Sequence, residues 1–285
     1  YRMIYKNAEL YNVVEAESAA DGKGLWLYRH PKQLLDKLRG GGNECAVSFG
    51  RACSGVEVRF NLAEKSKCSV TLCMEEGEDV LAEVYQGSFF YKHVMIGNEP
   101  VTIPIEYTGG FGTFDEFKRR AQTSGVAYDS HLIRVMLPNW PVSRLVNIEG
   151  DITPPRSEQV PDRRILFYGS SITHGLLCQR PHGTYAALLA DMLGMDTLNL
   201  GIPGGCFIEP EMTDYIAGRS DWDMLLCELG INVMESMDEA EFRKRVDYLL
   251  GTLVHLHPDK HLFCNDIFPS FFDPDNHGKL VVFRR

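Results

Sequence analysis

The stretch ILFYGSSITHG, residues Ile165–Gly175, decides the fold. It opens with a short continuous apolar run, as expected of a strand that is buried on both faces of a parallel sheet. A glycine, two serines and the start of a helical pattern follow the run. This order of strand, turn and helix predicts the first unit of a domain in which strands and helices alternate.

The chain downstream of this stretch continues the alternation. Apolar runs predict further strands at 196–200, 224–229 and 261–268, and helical spacing predicts helices at 184–193 and 238–256. The second helix would bury Phe242, Val246, Leu249 and Leu250 on one side. We therefore expect an α/β domain over residues 165–285, built on a parallel sheet with right-handed crossovers.

The first half of the chain has a different pattern. Residues 1–150 contain short runs of alternating apolar and polar residues, at 55–62, 69–74, 80–85, 89–96, 101–107, 131–137 and 143–148. Such alternation predicts strands with one buried and one solvated face, and the set favours an antiparallel β-sandwich domain. One helix is predicted, at Pro31–Leu38. The polar, proline-rich residues 151–164 predict an extended linker.

Composition excludes several classes of function. The 285 residues carry a net charge of −10, which disfavours a nucleic-acid surface, and the basic run Lys118–Arg120 fits a solvated loop or helix face. No segment approaches the roughly 20 apolar residues that span a bilayer, so we expect no membrane partner. None of the eight cysteines lies in a CxxC pair, which disfavours a zinc or redox site, and Cys227 and Cys264 are expected to be buried thiols.

The compartment stays open at this point. The chain begins at Tyr1 and shows no signal-peptide pattern, but an upstream signal could have been removed. The cysteine pattern slightly favours the cytoplasm over secretion.

Glycine-containing loops follow three of the predicted parallel strands. They are Gly169–Thr173, Gly201–Gly205 and Gly230–Asn232. Ligands of parallel sheets bind at the carboxyl ends of the strands, where these loops meet. A serine at a strand-to-helix turn, backbone N–H groups after glycines and an asparagine amide are the groups that acyl transfer needs, because the tetrahedral intermediate requires donors for its oxyanion.

The three loops resemble sequence blocks of the SGNH (GDSL) hydrolase superfamily. GSSIT at 169–173 is similar to the GDSIT block, with Ser170 in place of Asp; NLGIPG at 199–204 and GIN at 230–232 are similar to the next two blocks. The resemblance implies Ser171 as nucleophile, and Gly204 (N–H) and Asn232 (side-chain amide) as oxyanion donors, with Gly201 shaping the turn. It covers residues 165 to about 269, and it implies a flavodoxin-like three-layer α/β/α domain.

The same resemblance implies an activity. The first half is similar to the jelly-roll-like sandwich modules attached to some family members that act on acylated carbohydrates or natural products. The chain is therefore expected to be a serine esterase that cleaves a small acyl ester, such as an acetyl ester on a carbohydrate, through an acyl-enzyme. Neither a cofactor nor a metal is expected.

The family's fourth block, Asp-x-x-His, supplies the general base and the residue that orients it. Pro274 stands three residues before His277, so the spacing fails at the one histidine near the end of the chain. We expect the domain to be truncated at Arg285 and the base to lie beyond it. The missing segment would leave a sheet edge exposed, which a second copy of the chain could cover.

Three other functions fit parts of the pattern. An acyltransferase would use the same site with an alcohol as acceptor. A non-catalytic carbohydrate-binding protein would use the sandwich alone. A phosphate-binding loop would explain the glycine-flanked start of a helix, but the Lys of a P-loop is absent.

Several residues have a structural interpretation beside the functional one. Ser171 and Asn232 could cap helices, and Gly204 could be a turn glycine only. His174, three residues after Ser171, is expected to line the substrate pocket or to lie at the surface. His255 and His257 fit surface positions better than a metal site.

Aromatic residues cluster in the predicted strands of the first half. Tyr85, Phe89, Phe90 and Tyr91 could form a platform on which a sugar stacks. Packing within the sandwich is the more economical interpretation, because aromatic residues are common in strands.

Overall fold

Three β-sheets organise the chain in a computed structural model that describes residues 2–63, 66–107, 114–265 and 267–268. In the first half the strands are β1 (Met3–Tyr5), β2 (Ala8–Tyr11), β3 (Glu15–Ser18), β4 (Leu25–Tyr28), β5 (Glu57–Leu62), β6 (Cys68–Met74), β7 (Val80–Gln86), β8 (Phe89–Ile96), β9 (Val101–Ile105), β10 (Leu132–Met136), β11 (Ser143–Gly150) and β12 (Ile152–Thr153). The helices there are α1 (Lys32–Gly40), α2 (Glu44–Ser48) and α3 (Phe114–Ser124).

The second half alternates strands and helices as its apolar spacing predicted. Its strands are β13 (Arg164–Tyr168), β14 (Asp196–Asn199), β15 (Met224–Glu228) and β16 (His261–Asn265). Its helices are α4 (Ser171–His174), α5 (Tyr185–Met192), α6 (Pro210–Ala217) and α7 (Glu239–Leu256).

Two antiparallel sheets form the first half. One has the strand order β1-β2-β5-β10-β7-β8, with β12 paired to β5, and the other has the order β3-β4-β11-β6-β9. Buried residues of both sheets, among them Val58, Val135, Val70 and Leu145, belong to one hydrophobic core. The apolar positions of the alternating runs therefore face each other across the two sheets.

The third sheet is parallel, with the order β14-β13-β15-β16. Alternate residues of β13 face opposite sides: Ile165 and Phe167 pack with α5, whereas Leu166 and Tyr168 share a core with α6 and α7. Both faces of the strand are buried, which explains the continuous apolar run that predicted it. No helix in the described ranges has the length and apolar content to cross a bilayer.

The two halves of the chain pack against each other through α1. Leu34, Leu35 and Leu38 of this helix are buried in the core that also holds Leu198 and Ile216. The helix begins directly after Pro31, which suits the start of a helix because no backbone N–H is lost there. A helix of the first half thus packs on α6 and shares a core with the parallel sheet.

The expectation that one face of each alternating strand is solvated is wrong for β5. Its polar residues Glu57, Arg59 and Asn61 are buried as deeply as its apolar ones. The reason is an ionic contact with the parallel sheet: both terminal nitrogens of Arg59 donate to the carboxylate of Asp196, at 2.7 Å each. Arg134 completes the network by donating to Glu57.

The charges of this network balance within the protein interior. Burial by itself would raise the pKa of Glu57, but the guanidinium groups of Arg134 and Arg59 lower that pKa to about 2. The carboxylate is therefore ionised at neutral pH. Buried charges are tolerated only when they are paired in this way.

Two further stretches differ from their sequence expectation. Residues 151–164, predicted as an extended linker, include β12 and the buried side chain of Gln159, which exchanges hydrogen bonds with Asn61.

Cys264 is exposed rather than buried, because β16 is an edge strand of the described sheet. The basic run 118–120 lies in helix α3, where Arg120 pairs with Glu116.

Candidate active site

Ser171 is the first residue of α4 and is half-buried at the end of β13. The helix is capped by its neighbour: the hydroxyl of Ser170 accepts a hydrogen bond from the N–H of Ile172 at 3.2 Å. The alternative that Ser171 is the helix cap is therefore wrong. Its hydroxyl and its N–H form no hydrogen bond within the described residues.

The buried side chain of Glu228 stabilises this turn through hydrogen bonds. One carboxylate oxygen of Glu228, at the end of β15, accepts from the N–H and the hydroxyl of Ser170 and from the hydroxyl of Thr173, the last at 3.2 Å. Burial raises the pKa of Glu228, and these hydrogen bonds oppose that shift. Gly169 leaves the room for these contacts, because a Cβ there would lie 2.2 Å from the Thr173 hydroxyl oxygen and 2.9 Å from the carboxylate.

Sequence reasoning missed Glu228. The available signal was an acidic residue in an apolar run, separated from the GIN block by Leu229 alone. A charge at such a position needs specific partners, and here Ser170 and Thr173 supply them.

The second loop lies directly on α4. The side chain of Asn199 donates to the carbonyl of Thr173 at 2.7 Å and accepts from the N–H of Gly201 at 2.9 Å. The N–H of Ile202 donates to the carbonyl of Gly169 at 2.9 Å. A Cβ on Gly201 would come within 2.4 Å of the backbone nitrogen of His174, so only glycine permits this approach.

Gly204 occupies a tight turn. The N–H of Gly205 donates to the carbonyl of Ile202 at 3.1 Å, so Ile202 is the first residue of the turn, Pro203 the second and Gly204, with φ +67°, the third. This is the pattern of a type II turn, which requires a positive φ at its third residue. The Gly204 N–H has no acceptor within the described residues.

Asn232 connects the third loop to the second. Its side-chain oxygen accepts from the N–H of Cys206 at 3.1 Å. That contact orients the amide, so the NH2 group is the part of the side chain that can donate to a ligand. The residue is only half-buried and is the third residue of the turn that the N–H of Val233 closes on the carbonyl of Gly230.

Hydrogen bonds thus connect the second predicted loop to the other two: Ile202 donates to Gly169 of the first loop, and Cys206, the residue directly after the second loop, donates to Asn232 of the third. The structure brings the three loops together, whereas the catalytic roles of Ser171, Gly204 and Asn232 stay predictions. His277 and the residues that follow β16 from Pro269 onward lie outside the described residues.

The expectation that His174 lines the substrate pocket or lies at the surface is wrong, because its side chain is fully buried. Its Nε2 donates to the carbonyl of Asn139 at 3.0 Å, and its Nδ1 accepts from Arg29 at 3.2 Å. Burial, followed by the charge of Arg29, lowers its pKa to about 3. Both ring nitrogens are engaged away from Ser171, so His174 cannot act as its base.

His255 and His257, which the sequence analysis weighed as a metal site, lie in different environments. His255 is exposed, while the Nε2 of His257 lies 2.8 Å from the carbonyl oxygen of Ala217 and its ring packs on Trp222. No group of three metal-binding side chains occurs in the part of the chain that the structure describes.

The aromatic set of the first half is divided between two environments. Tyr85 is buried and Tyr91 packs against the shared core, whereas Phe90 is 48% exposed and contacts Tyr85 edge-on. The four rings therefore do not share one face as a sugar platform would require, because neighbouring strand residues point to opposite sides.

The sequence model of the GDSL-like Lipase/Acylhydrolase family matches residues 162–270. No curated protein matches the chain in sequence. Among solved structures, the salicylyl-acyltransferase SsfX3 from a tetracycline biosynthetic pathway is 16% identical, with a TM-score of 0.73 over 99% of this chain and 79% of that one.

Two further structures are similar. One, described as a GDSL-like lipase from Bacteroides ovatus, is 14% identical, with a TM-score of 0.62 over 96% of this chain and 78% of its own. A family two carbohydrate esterase from Cellvibrio japonicus is 13% identical, with a TM-score of 0.59 over 100% and 82%. At these identities the likeness is one of fold. The family match and the three sequence blocks agree, because the matched residues 162–270 contain all three blocks.

Proposed function

We propose that the protein is a serine esterase in which Ser171 is the nucleophile. The observation that carries the proposal is a set of donors on three linked loops. The N–H groups of Ser171 and Gly204 have no acceptor within the described residues, and the Asn232 amide is oriented by Cys206. Unpaired donors at the carboxyl ends of parallel strands are suited to a developing oxyanion.

The reaction would proceed in two steps. The Ser171 oxygen attacks the ester carbonyl carbon while its proton passes to a base, and the tetrahedral oxyanion is held by Ser171, Gly204 and Asn232. The alcohol leaves with a proton, and an acyl-enzyme remains. Water then attacks the acyl carbon, and the acid leaves as the serine hydroxyl is restored.

The general base in this proposal is a histidine outside the described residues. No histidine within the described ranges hydrogen-bonds Ser171, and His174, the nearest in sequence, is fully engaged elsewhere. The family's Asp-x-x-His block would supply the base. Without it Ser171 would be a weak nucleophile at neutral pH.

We further propose a small acyl ester on a carbohydrate as substrate. Support comes from the likeness in fold to a carbohydrate esterase that covers both halves of the chain. In this proposal the two antiparallel sheets form a jelly-roll-like sandwich, and the parallel sheet is the middle layer of a three-layer domain. The shared core of the first two sheets and the helices on both faces of the third support that arrangement.

Hydrolysis of 4-nitrophenyl acetate by the full-length protein tests the function. Ser171→Ala is expected to lower kcat by about 10³-fold or more, because no nucleophile remains. Ser236→Ala, an exposed serine on the loop before α7, is the control and should keep full activity. Equal activity of the two variants would refute the assignment.

Acyl transfer to an alcohol is the second candidate. It is favoured by the likeness in fold to a salicylyl-acyltransferase over nearly the whole chain. The same acyl-enzyme would form, and an alcohol would replace water in the second step. Product analysis with a competing alcohol separates the two: ester as the main product indicates a transferase, and free acid a hydrolase.

A further inference from the structure

Asn43, in the first half of the chain, contacts the predicted oxyanion turn in the second half. The residue is 1% exposed and immediately precedes α2. Its side-chain nitrogen donates to the carbonyl of Gly205 at 2.9 Å and also to the carboxylate of Glu209. Its side-chain oxygen accepts from the N–H of Ala46 at 3.1 Å, which caps the helix. Each polar atom of the amide is therefore in use.

The start of α2 also lies against both glycines of the turn. A Cβ on Gly205 would come within 2.7 Å of the Asn43 side-chain oxygen and 3.0 Å of the Cys45 Cβ. A Cβ on Gly204 would meet the Cys45 sulfur at 3.1 Å. Two adjacent glycines have little intrinsic stiffness, so the direction of the Gly204 N–H depends on such external contacts.

The segment that follows the turn is fixed from other elements. The Tyr168 hydroxyl accepts from the N–H of Ile208 at 3.2 Å, and Arg245 donates to the carbonyl of Phe207 at 2.9 Å. Ile208 has φ +56°, a costly conformation for a β-branched residue. Such conformations persist only where the surroundings enforce them, which indicates a segment held in one geometry.

We propose that Asn43 is a positioning residue that fixes the Gly204 N–H for oxyanion binding. The inference rests on the proposed esterase function. Asn43 has no expected contact with the substrate and acts through the carbonyl of Gly205. The first half of the chain would then be part of the catalytic apparatus, since it supplies the only side-chain hydrogen bond to this glycine pair among the described residues.

Two substitutions separate positioning from helix capping. Asn43→Asp and Asn43→Ser both keep a cap for α2, because Asp and Ser cap helices as well as Asn does. Neither can donate from the same position to Gly205, and the aspartate also faces Glu209. Asp238→Asn at the cap of α7 is the matched control, since it exchanges the same residue types at an exposed cap.

Steady-state kinetics and thermal unfolding of the full-length variants give the test. We expect kcat to fall about 10- to 100-fold in both Asn43 variants, less than the loss of a whole oxyanion donor. KM should change less than about threefold, and the control should match the parent. The proposal is overturned if kcat falls only in proportion to the fraction of protein that is folded. It is also overturned if kcat stays within twofold of the parent in either Asn43 variant that is fully folded.

Failure of the two proposals can be told apart. If a fluorophosphonate does not label the parent at Ser171, the esterase function fails first. If the parent is labelled and the Asn43 variants are labelled at the same rate, the function stands and the positioning role is refuted.

Discussion

A single carboxylate oxygen of Glu228 accepts hydrogen bonds from both the N–H and the hydroxyl of Ser170, at 2.8 and 2.6 Å. The first block of the family has an aspartate where this chain has Ser170. An aspartate here would place a second carboxylate against the buried one. Ser170 and Glu228 therefore form a matched donor and acceptor that fix the turn directly before Ser171.

The first prediction follows from this pair. Ser170→Asp, although it restores the family's residue, should destabilise the protein by about 2–4 kcal/mol, because two carboxylates would share one buried site. Adding Glu228→Gln should recover part of the loss, since the amide can donate to the new aspartate. Urea unfolding measures both changes.

The control for this comparison is Ser236→Asp at an exposed position, which should change stability by less than about 0.5 kcal/mol. If Ser170→Asp is as stable as the parent, the hydrogen bonds between Ser170 and Glu228 do not fix the turn before Ser171.

The buried pair between the two halves gives a second prediction. Asp196→Asn removes the carboxylate that pairs with both terminal nitrogens of Arg59, so Glu57 alone is left to balance Arg59 and Arg134, and the change should cost about 3–5 kcal/mol of unfolding free energy. Glu239→Gln removes an ion pair of similar length with Arg243, but both side chains there are about half exposed. That control should cost less than about 1 kcal/mol. Similar losses in the two variants would show that burial does not govern the Arg59 contact.

The third prediction concerns pH and His174. Its pKa in the folded protein, about 3, lies below the ordinary value of 6.5, so the unfolded chain takes up the proton first. This group's contribution to stability is therefore complete above pH 6.5 and is lost as pH falls toward 3. Each proton of difference gives a slope of about 1.4 kcal/mol per pH unit.

Unfolding free energies between pH 6 and 4 test this assignment. His174→Gln should reduce the slope with pH by close to one proton, whatever its effect on absolute stability. An unchanged slope would mean that His174 is not buried in its neutral form.

Gly201 gives the fourth prediction. Gly201→Ala would push a methyl group into the backbone of His174, and we expect lower stability together with lower esterase activity, by at least about 10-fold. Gly251→Ala in α7 is the matched control, because nothing lies within 4 Å of its Cβ. That change should raise stability by about 0.5–1 kcal/mol. If Gly201→Ala behaves like the control, the loop does not lie on α4 as described.

Local patterns predicted much of this fold. The continuous apolar run of β13 and the helical spacing of α7 identified the α/β unit, and the three glycine blocks identified its loops. These features depend on neighbours in the chain, so they can be read from the sequence. The family match over residues 162–270 confirms that recognition.

Contacts between distant parts of the chain were not predictable in this way. The polar side chains of β5 were expected to be solvated, because no residue near them in the sequence indicates the contact between Arg59 and Asp196. For the same reason His174 was expected to line the substrate pocket or to lie at the surface, and Asn43 carried no signal of its contact with Gly205. Each of these contacts joins a residue of the first half to a residue of the second half, and no local pattern in the sequence indicates such a contact.

The central claim is that Ser171 is the nucleophile, and mapping the residue that a fluorophosphonate labels tests it most directly. Full-length protein should carry the label on Ser171 in peptide mass spectrometry, and Ser171→Ala should abolish labelling. Ser170→Ala should still be labelled at Ser171, more slowly, because its contact with Glu228 is weakened. Label on another residue, or labelling of Ser171→Ala at the parent's rate, would contradict the account.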